Sequence, residues 1–182
     1  MEPEQLKRTI VIGSSCAGKT TFARNLAHIL DSKHIELDAI NWLPGWQQRP
    51  DDEFRELVKG EVASESWVLD GNYSRAQDIT WPRATAVVWL DFSFPLVFYR
   101  VVRRTTRRVY ARETLFSGNK ESFRNAFLSG DSMIVWVVRT YRRRRRECAE
   151  KLEKHRRKNL EFLIFQKPSE AEDFLRRIET QN

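Results

Sequence analysis

No apolar run in the sequence approaches the roughly 18 residues that a membrane-crossing helix needs, which excludes a helical membrane span. Residues 1–8 are polar and charged, with no apolar leader or small-residue cleavage site. Cysteine is equally scarce, with Cys16 and Cys148 alone, too few for a disulfide scaffold. A reducing, cytoplasmic setting is therefore expected. The three histidines, His28, His34 and His155, show no metal-binding spacing. Internal repeats and low-complexity linkers are missing too, and 182 residues suffice for one domain with a proper core.

Acidic residues are missing where they would matter most. Between positions 100 and 146, thirteen Arg and one Lys face only Glu113, Glu121 and Asp131, a local charge of +11 in a chain of net charge +7. So few interleaved acids argue against an ordinary solvated face and for a polyanionic partner: a triphosphate, a phosphorylated substrate or nucleic acid.

What is present alternates between two periods. Short β-branched or apolar runs at 9–12, 34–37, 67–69, 86–90 and 160–165 read as strands. Helical spacing appears at 22–30, around Phe54, Leu57, Val58 and Val62, and from Ser93 through Val97, Phe98, Val101, Val102 and Val109. In the last of these, Arg100, Arg104, Arg108 and Arg112 recur every four residues. Ser117-Gly118-Asn119 predicts a break, followed by a long helix through Trp136, Arg139 and residues 142–146. A Trp- and Pro-bearing loop is expected at 42–50, and Ser169-Glu170-Ala171-Glu172 predicts a capping box for a closing helix. The alternation predicts an α/β fold: a five-stranded, mostly parallel sheet with helices on both faces. Ligands on such sheets bind at the carboxyl ends of the strands, where Gly13, Asp38, Asp70 and Asp91 are expected.

The most specific pattern is Gly13-Ser14-Ser15-Cys16-Ala17-Gly18-Lys19-Thr20, which matches G-x-x-x-x-G-K-[ST] between a strand and a helix. Glycines let successive N–H groups turn inward onto phosphate oxygens, and the helix N-terminus adds partial positive charge. The pattern implies a P-loop fold in which residues 13–20, with Thr21, hold ATP. Lys19 would reach the β- and γ-phosphates and the Thr20 hydroxyl would ligate Mg2+. Cys16 serves either as a small loop residue or as a redox-sensitive one. The guanine signature N-K-x-D is absent, since Asn119-Lys120-Glu121-Ser122 lacks the final Asp.

Beyond the loop, the order of features resembles the adenylate kinase and shikimate kinase group. Asp38 follows the second strand, Asp70-Gly71 the third, and an Arg-rich helical segment at about 104–146 precedes the last strand. Glu36-Leu37-Asp38-Ala39-Ile40-Asn41-Trp42, Asp70-Gly71-Asn72-Tyr73-Ser74, Trp81-Pro82-Arg83-Ala84 and Val88-Trp89-Leu90-Asp91 resemble, more narrowly, the DNA topology modulation protein family. The resemblance implies a single kinase-like domain over 1–182 with a helical, Arg-rich lid. It implies that Asp70 holds Mg2+ through water, and that Asp38 orients or deprotonates an acceptor hydroxyl, although a turn-capping role explains Asp38 as well. Arg100 and Arg104 would begin the lid, Arg139, Arg142 and Arg143 would approach the transferring phosphate as it closes, and residues 166–169 would contact adenine. True adenylate kinases carry Asp-Gly-aromatic-Pro-Arg after the third strand, which Asp70-Gly71-Asn72-Tyr73-Ser74-Arg75 does not match, so AMP is not implied as acceptor. Trp42, Trp46 and Tyr73 are candidates for the wall of an acceptor pocket, or for core packing. The expected function is transfer of the γ-phosphate of ATP to a small acceptor. The alternative is an ATP-binding protein whose basic helices hold nucleic acid, although no helix-turn-helix, zinc finger or ribonucleoprotein motif is present.

Overall fold

The computed structural model describes residues 3–111, 117, 132–155 and 160–181. Five strands form one parallel sheet: β1 (Arg8–Gly13), β2 (Lys33–Glu36), β5 (Trp67–Asp70), β6 (Ala86–Leu90) and β7 (Glu161–Phe165), in the order β2-β5-β1-β6-β7. The remaining strands, β3 (Trp42–Leu43) and β4 (Gln47–Gln48), pair antiparallel as a separate hairpin. The α-helices are α1 (Lys19–Ile29), α2 (Leu37–Asn41), α3 (Asp51–Glu61), α4 (Gln77–Thr80), α5 (Phe94–Ala111), α6 (Met133–Lys154) and α7 (Pro168–Glu179).

Alternation along the buried strands sorts the core into two layers. Val11, Val68, Val88 and Leu90 face α1, α5 and α7, where Phe22, Leu26, Val97, Val101, Phe174 and Ile178 are buried. Ile10, Ile12, Leu69 and Val87 face the other way, onto Phe54, Val58 and Val62 of α3 and its C-terminal flank and onto Trp81. Helix α6 serves both layers, contributing Val137 and Tyr141 to the first and Cys148 to the second. Burial of Cys148 pushes its thiol pKa up from 9.0 to about 11. Because the folded value lies above the unfolded one, this stability is full below pH 9 and is lost as pH rises toward 11, on the order of 2–3 kcal/mol. Urea unfolding at pH 8 and pH 10.5 is therefore expected to show an alkaline loss in the native chain that is smaller by about that amount in Cys148→Ala.

Several expectations shift. The loop expected at 42–50 contains the β3–β4 hairpin, because Pro44-Gly45 turns the chain, with Gly45 at φ 73 and Trp46 at φ 59. Leu37 leaves β2 to open α2, which puts Asp38 in the first turn of a helix. Leu57 and Phe98 are exposed although their spacing predicts burial. The capping carboxylate of α7 is Glu170, which accepts from the backbone N–H of Gln166 and Lys167 at 2.8 and 3.1 Å. Glu172, expected in that role, turns elsewhere. The break at 117–119 lies, apart from Ser117, outside the described residues, as do residues 112–116 and 118–131 of the expected lid, Arg112 among them.

Candidate active site

Strand register assembles the site. In the sheet Gly13 lies beside Leu90 and Val11 beside Asp70, so the end of β1 is flanked by the ends of β5 and β6. A Cβ at Gly13 would stand 2.8 Å from the Leu90 carbonyl oxygen, and φ there is +149°, so only glycine lets the chain leave the sheet at this point. Gly18, left-handed at φ 99, caps α1, and the loop between them curls around the helix N-terminus. The Lys19 ammonium turns back to donate to the Ser14 carbonyl at 3.0 Å.

A cavity of about 580 Å³ opens over this loop. Ser15, Cys16, Ala17, Gly18, Lys19, Thr20 and Thr21 line it, and Asp38 and Asp70 share its wall. Gly13 and Ser14 support it from outside the lining. Arg100, Arg103, Arg104 and Arg107 of α5 line it too, and the cavity extends to Pro168, Ala171 and Glu172 at the start of α7. Arg100 donates to the Ala17 carbonyl at 2.6 Å. Desolvation pushes its pKa below the ordinary guanidinium value, while Glu172 and Cys16 pull it upward.

Negative charge gathers at the other end. Asp70 is 2% exposed. Its Oδ1 lies 3.4 Å from the Thr20 hydroxyl and its Oδ2 2.9 Å from His34 Nε2. The Thr20 hydroxyl is also 3.3 Å from Glu36 Oε1. Burial, then the charges of Asp70 and Asp38, raises the Glu36 pKa. The Asp70 and Glu36 carboxylates on either side of the Thr20 hydroxyl are the oxygens here that could hold a hard cation. Among the described residues no group of three His, Cys, Asp or Glu side chains is placed to hold a metal ion. Glu36, like Arg103 and Arg107, is a residue that sequence reasoning missed. Its signal is the β2–β5 register, which sets Glu36 beside Asp70.

The arrangement, a glycine-bounded loop at the end of β1 with α1 behind it and a strand inserted between β1 and β2, fixes the architecture. The fold is that of the P-loop kinases. Solved structures match over most of their length, two kinases among them. A shikimate kinase from Acinetobacter baumannii, in complex with shikimate, superposes with a TM-score of 0.54 at 18% identity, over 98% of this chain and 93% of that one. An unliganded sugar kinase from Janibacter sp. HTCC2649 gives 0.50 at 14% identity, over 94% and 91%. No family model and no curated protein sequence matches the chain. Among the described residues no helix is long and apolar enough to cross a membrane.

Other expected site residues fall elsewhere. Arg139, Arg142 and Arg143 are exposed on α6 and do not line the cavity; Arg143 pairs with Glu147 at 3.5 Å. Arg145 clamps Asp91 with two bonds of 2.7 Å, so Asp91, though at a strand end, is occupied structurally. Trp42 and Trp46 pack edge to face, 5.6 Å apart, on the hairpin, and neither they nor Tyr73 line the cavity.

Proposed function

We propose that the chain is an ATP-dependent phosphotransferase of the adenylate kinase-related group, moving the γ-phosphoryl group to a small hydroxylated or nucleotide acceptor in the cytoplasm. One observation carries this reading: Lys19, Thr20, Asp38 and Asp70 line the same cavity. Phosphoryl transfer is chiefly positioning and charge neutralisation, and that set of groups serves both. The loop amides and Lys19 would bind the triphosphate. Thr20, with Asp70 and Glu36 acting through water, would hold magnesium, which supplies charge neutralisation at the phosphates. Arg100 and Arg104, joined by Arg103 and Arg107, would neutralise charge from the lid side, the lid itself spanning about 104–146 in a domain covering 1–182. Asp38 would accept the proton of the acceptor hydroxyl. The fold shared with a shikimate kinase and a sugar kinase supports an alcohol as acceptor, and the 70–74 motif supports the narrower kinship with the DNA topology modulation family.

The test is transfer from γ-labelled ATP with magnesium to a panel of nucleoside monophosphates, nucleosides and hydroxylated metabolites. A labelled product is expected, and Asp38→Asn is expected to cut its kcat about 10²-fold while ATP affinity stays within twofold. Equal losses in both would move Asp38 into the nucleotide site. The exposed Arg139, Arg142 and Arg143 favour the nucleic-acid reading as a second one. Absence of product, together with duplex-DNA binding that responds to ATP and weakens log-linearly with salt, would establish it instead.

A further inference from the structure

The segment that begins at Asp70, the last residue of β5, touches three parts of the site. Asp70 faces Thr20, and the Asn72 side-chain amide donates to the Gly13 carbonyl at 2.6 Å, tying the segment to the base of the phosphate-binding loop. Tyr73, the next residue, donates its hydroxyl to Asp38 Oδ1 at 2.5 Å. Four consecutive residues thus connect the metal side, the loop and the acceptor side.

Asp38 needs such a tether. It sits in the first turn of a five-residue helix whose N-terminus has no side-chain cap, and Glu36, two residues away, presents a like charge. Left alone, a short acidic side chain there would rotate among staggered positions. Tyr73, by contrast, is rigid. Its ring packs on Phe54 with centroids 5.3 Å apart, and the Arg75 guanidinium lies 3.9 Å from the centre of the same Phe54 ring and 5.8 Å from that of Tyr73. Arg75 is itself held by Asn41, Asp51 and the Arg49 carbonyl.

We infer that Tyr73 is a positioning residue: its hydroxyl occupies one oxygen of Asp38 and holds the other toward the cavity, setting the line along which an acceptor hydroxyl meets the γ-phosphate. This rests on the kinase reading for the step it serves. Burial and the adjacent Asp38 carboxylate raise the phenol's pKa, so Tyr73 remains the donor throughout the physiological range. A hydrogen bond to a charged group in a partly buried site is among the stronger ones, and misdirected reacting groups are costly in rate.

Tyr73→Phe keeps the ring on Phe54 and removes the hydroxyl alone. Transfer kcat is expected to fall about tenfold or more, with affinity for ATP, measured by titration of a fluorescent analogue, unchanged. The double variant Tyr73→Phe/Asp38→Asn is expected to match Asp38→Asn within about twofold, since nothing remains to orient. Wild-type kcat in Tyr73→Phe, or losses that multiply in the double variant as a packing defect's would, overturn the inference. Wild-type transfer by Asp38→Asn overturns both this role and that of Asp38. Should the native chain transfer nothing, a crystal structure of Tyr73→Phe still decides: an Asp38 carboxylate rotated or split between positions supports the tether, and one that stays in its native position refutes it.

Discussion

Lys19→Ala is expected to lower kcat for phosphoryl transfer about 10³-fold or more while leaving the fold intact. The ammonium is the only formal positive charge that residues 13–20 carry, and stabilising charge as it develops on a transferring phosphoryl group contributes on this scale. Its present partner, the Ser14 carbonyl, is a neutral acceptor belonging to the same loop. Releasing that bond for a triphosphate replaces a neutral acceptor by an anionic one. Nothing in the core depends on the Lys19 tip, so the thermal midpoint of the variant should lie within a degree or two of the native value. Lys19→Arg is not expected to rescue, because a planar guanidinium cannot stand in for a compact ammonium inside a tight loop. Steady-state kinetics alongside thermal unfolding check both halves of the prediction.

Asp70→Asn is expected to separate activity from stability. Removing a charge that faces Thr20 should weaken metal binding about 10- to 100-fold and reduce kcat about 10³-fold. Stability should not fall. The amide oxygen can still accept from His34, and the Glu36 carboxylate loses one of the charges that raise its pKa. A carboxyl whose folded pKa is raised contributes its stability below its unfolded value and loses it as pH rises through the folded one. At neutral pH Glu36 is therefore a cost, and Asp70→Asn reduces it. Mn2+ binding followed by electron paramagnetic resonance with a non-hydrolysable ATP analogue, beside thermal unfolding, tests this. A variant that loses stability while binding Mn2+ as tightly as the native chain would remove Asp70 from the metal site.

Local chemistry made much of this arrangement legible in the sequence. The Gly13–Thr20 pattern carries its own geometric demand, and four of the five main-sheet strands are short, mostly apolar runs, with β2 (Lys33–Glu36) marked by its place in the alternation instead. What escaped depends on relations between distant segments. Glu36 lies inside a strand and gains its place from a partner 34 positions away. On α5, a strict four-residue spacing selects Arg100, Arg104, Arg108 and Arg112, whereas the cavity is lined by Arg100, Arg103, Arg104 and Arg107, the i, i+3, i+4, i+7 stripe of a 3.6-residue helix. Glu172 fits a capping spacing by sequence, but Glu170 reaches the free N–H groups first and Glu172 turns to the cavity. Arg145 belongs to an arginine run that composition treats as one feature, yet it alone of residues 142–146 clamps Asp91, with two hydrogen bonds. The hairpin at Trp42–Leu43 and Gln47–Gln48 pairs only two residues on each side, below what alternation can signal.

The proposal that one cavity holds ATP at the 13–20 loop with its γ-phosphate aimed at Asp38 is tested most directly by a crystal structure with a non-hydrolysable ATP analogue and magnesium. The account predicts the triphosphate cradled by residues 13–20, Lys19 moved from the Ser14 carbonyl to the phosphates, the metal between Thr20 and Asp70, and the terminal phosphate facing Asp38. A nucleotide seated elsewhere, or seated in the loop with its terminal phosphate turned away from Asp38, would contradict it.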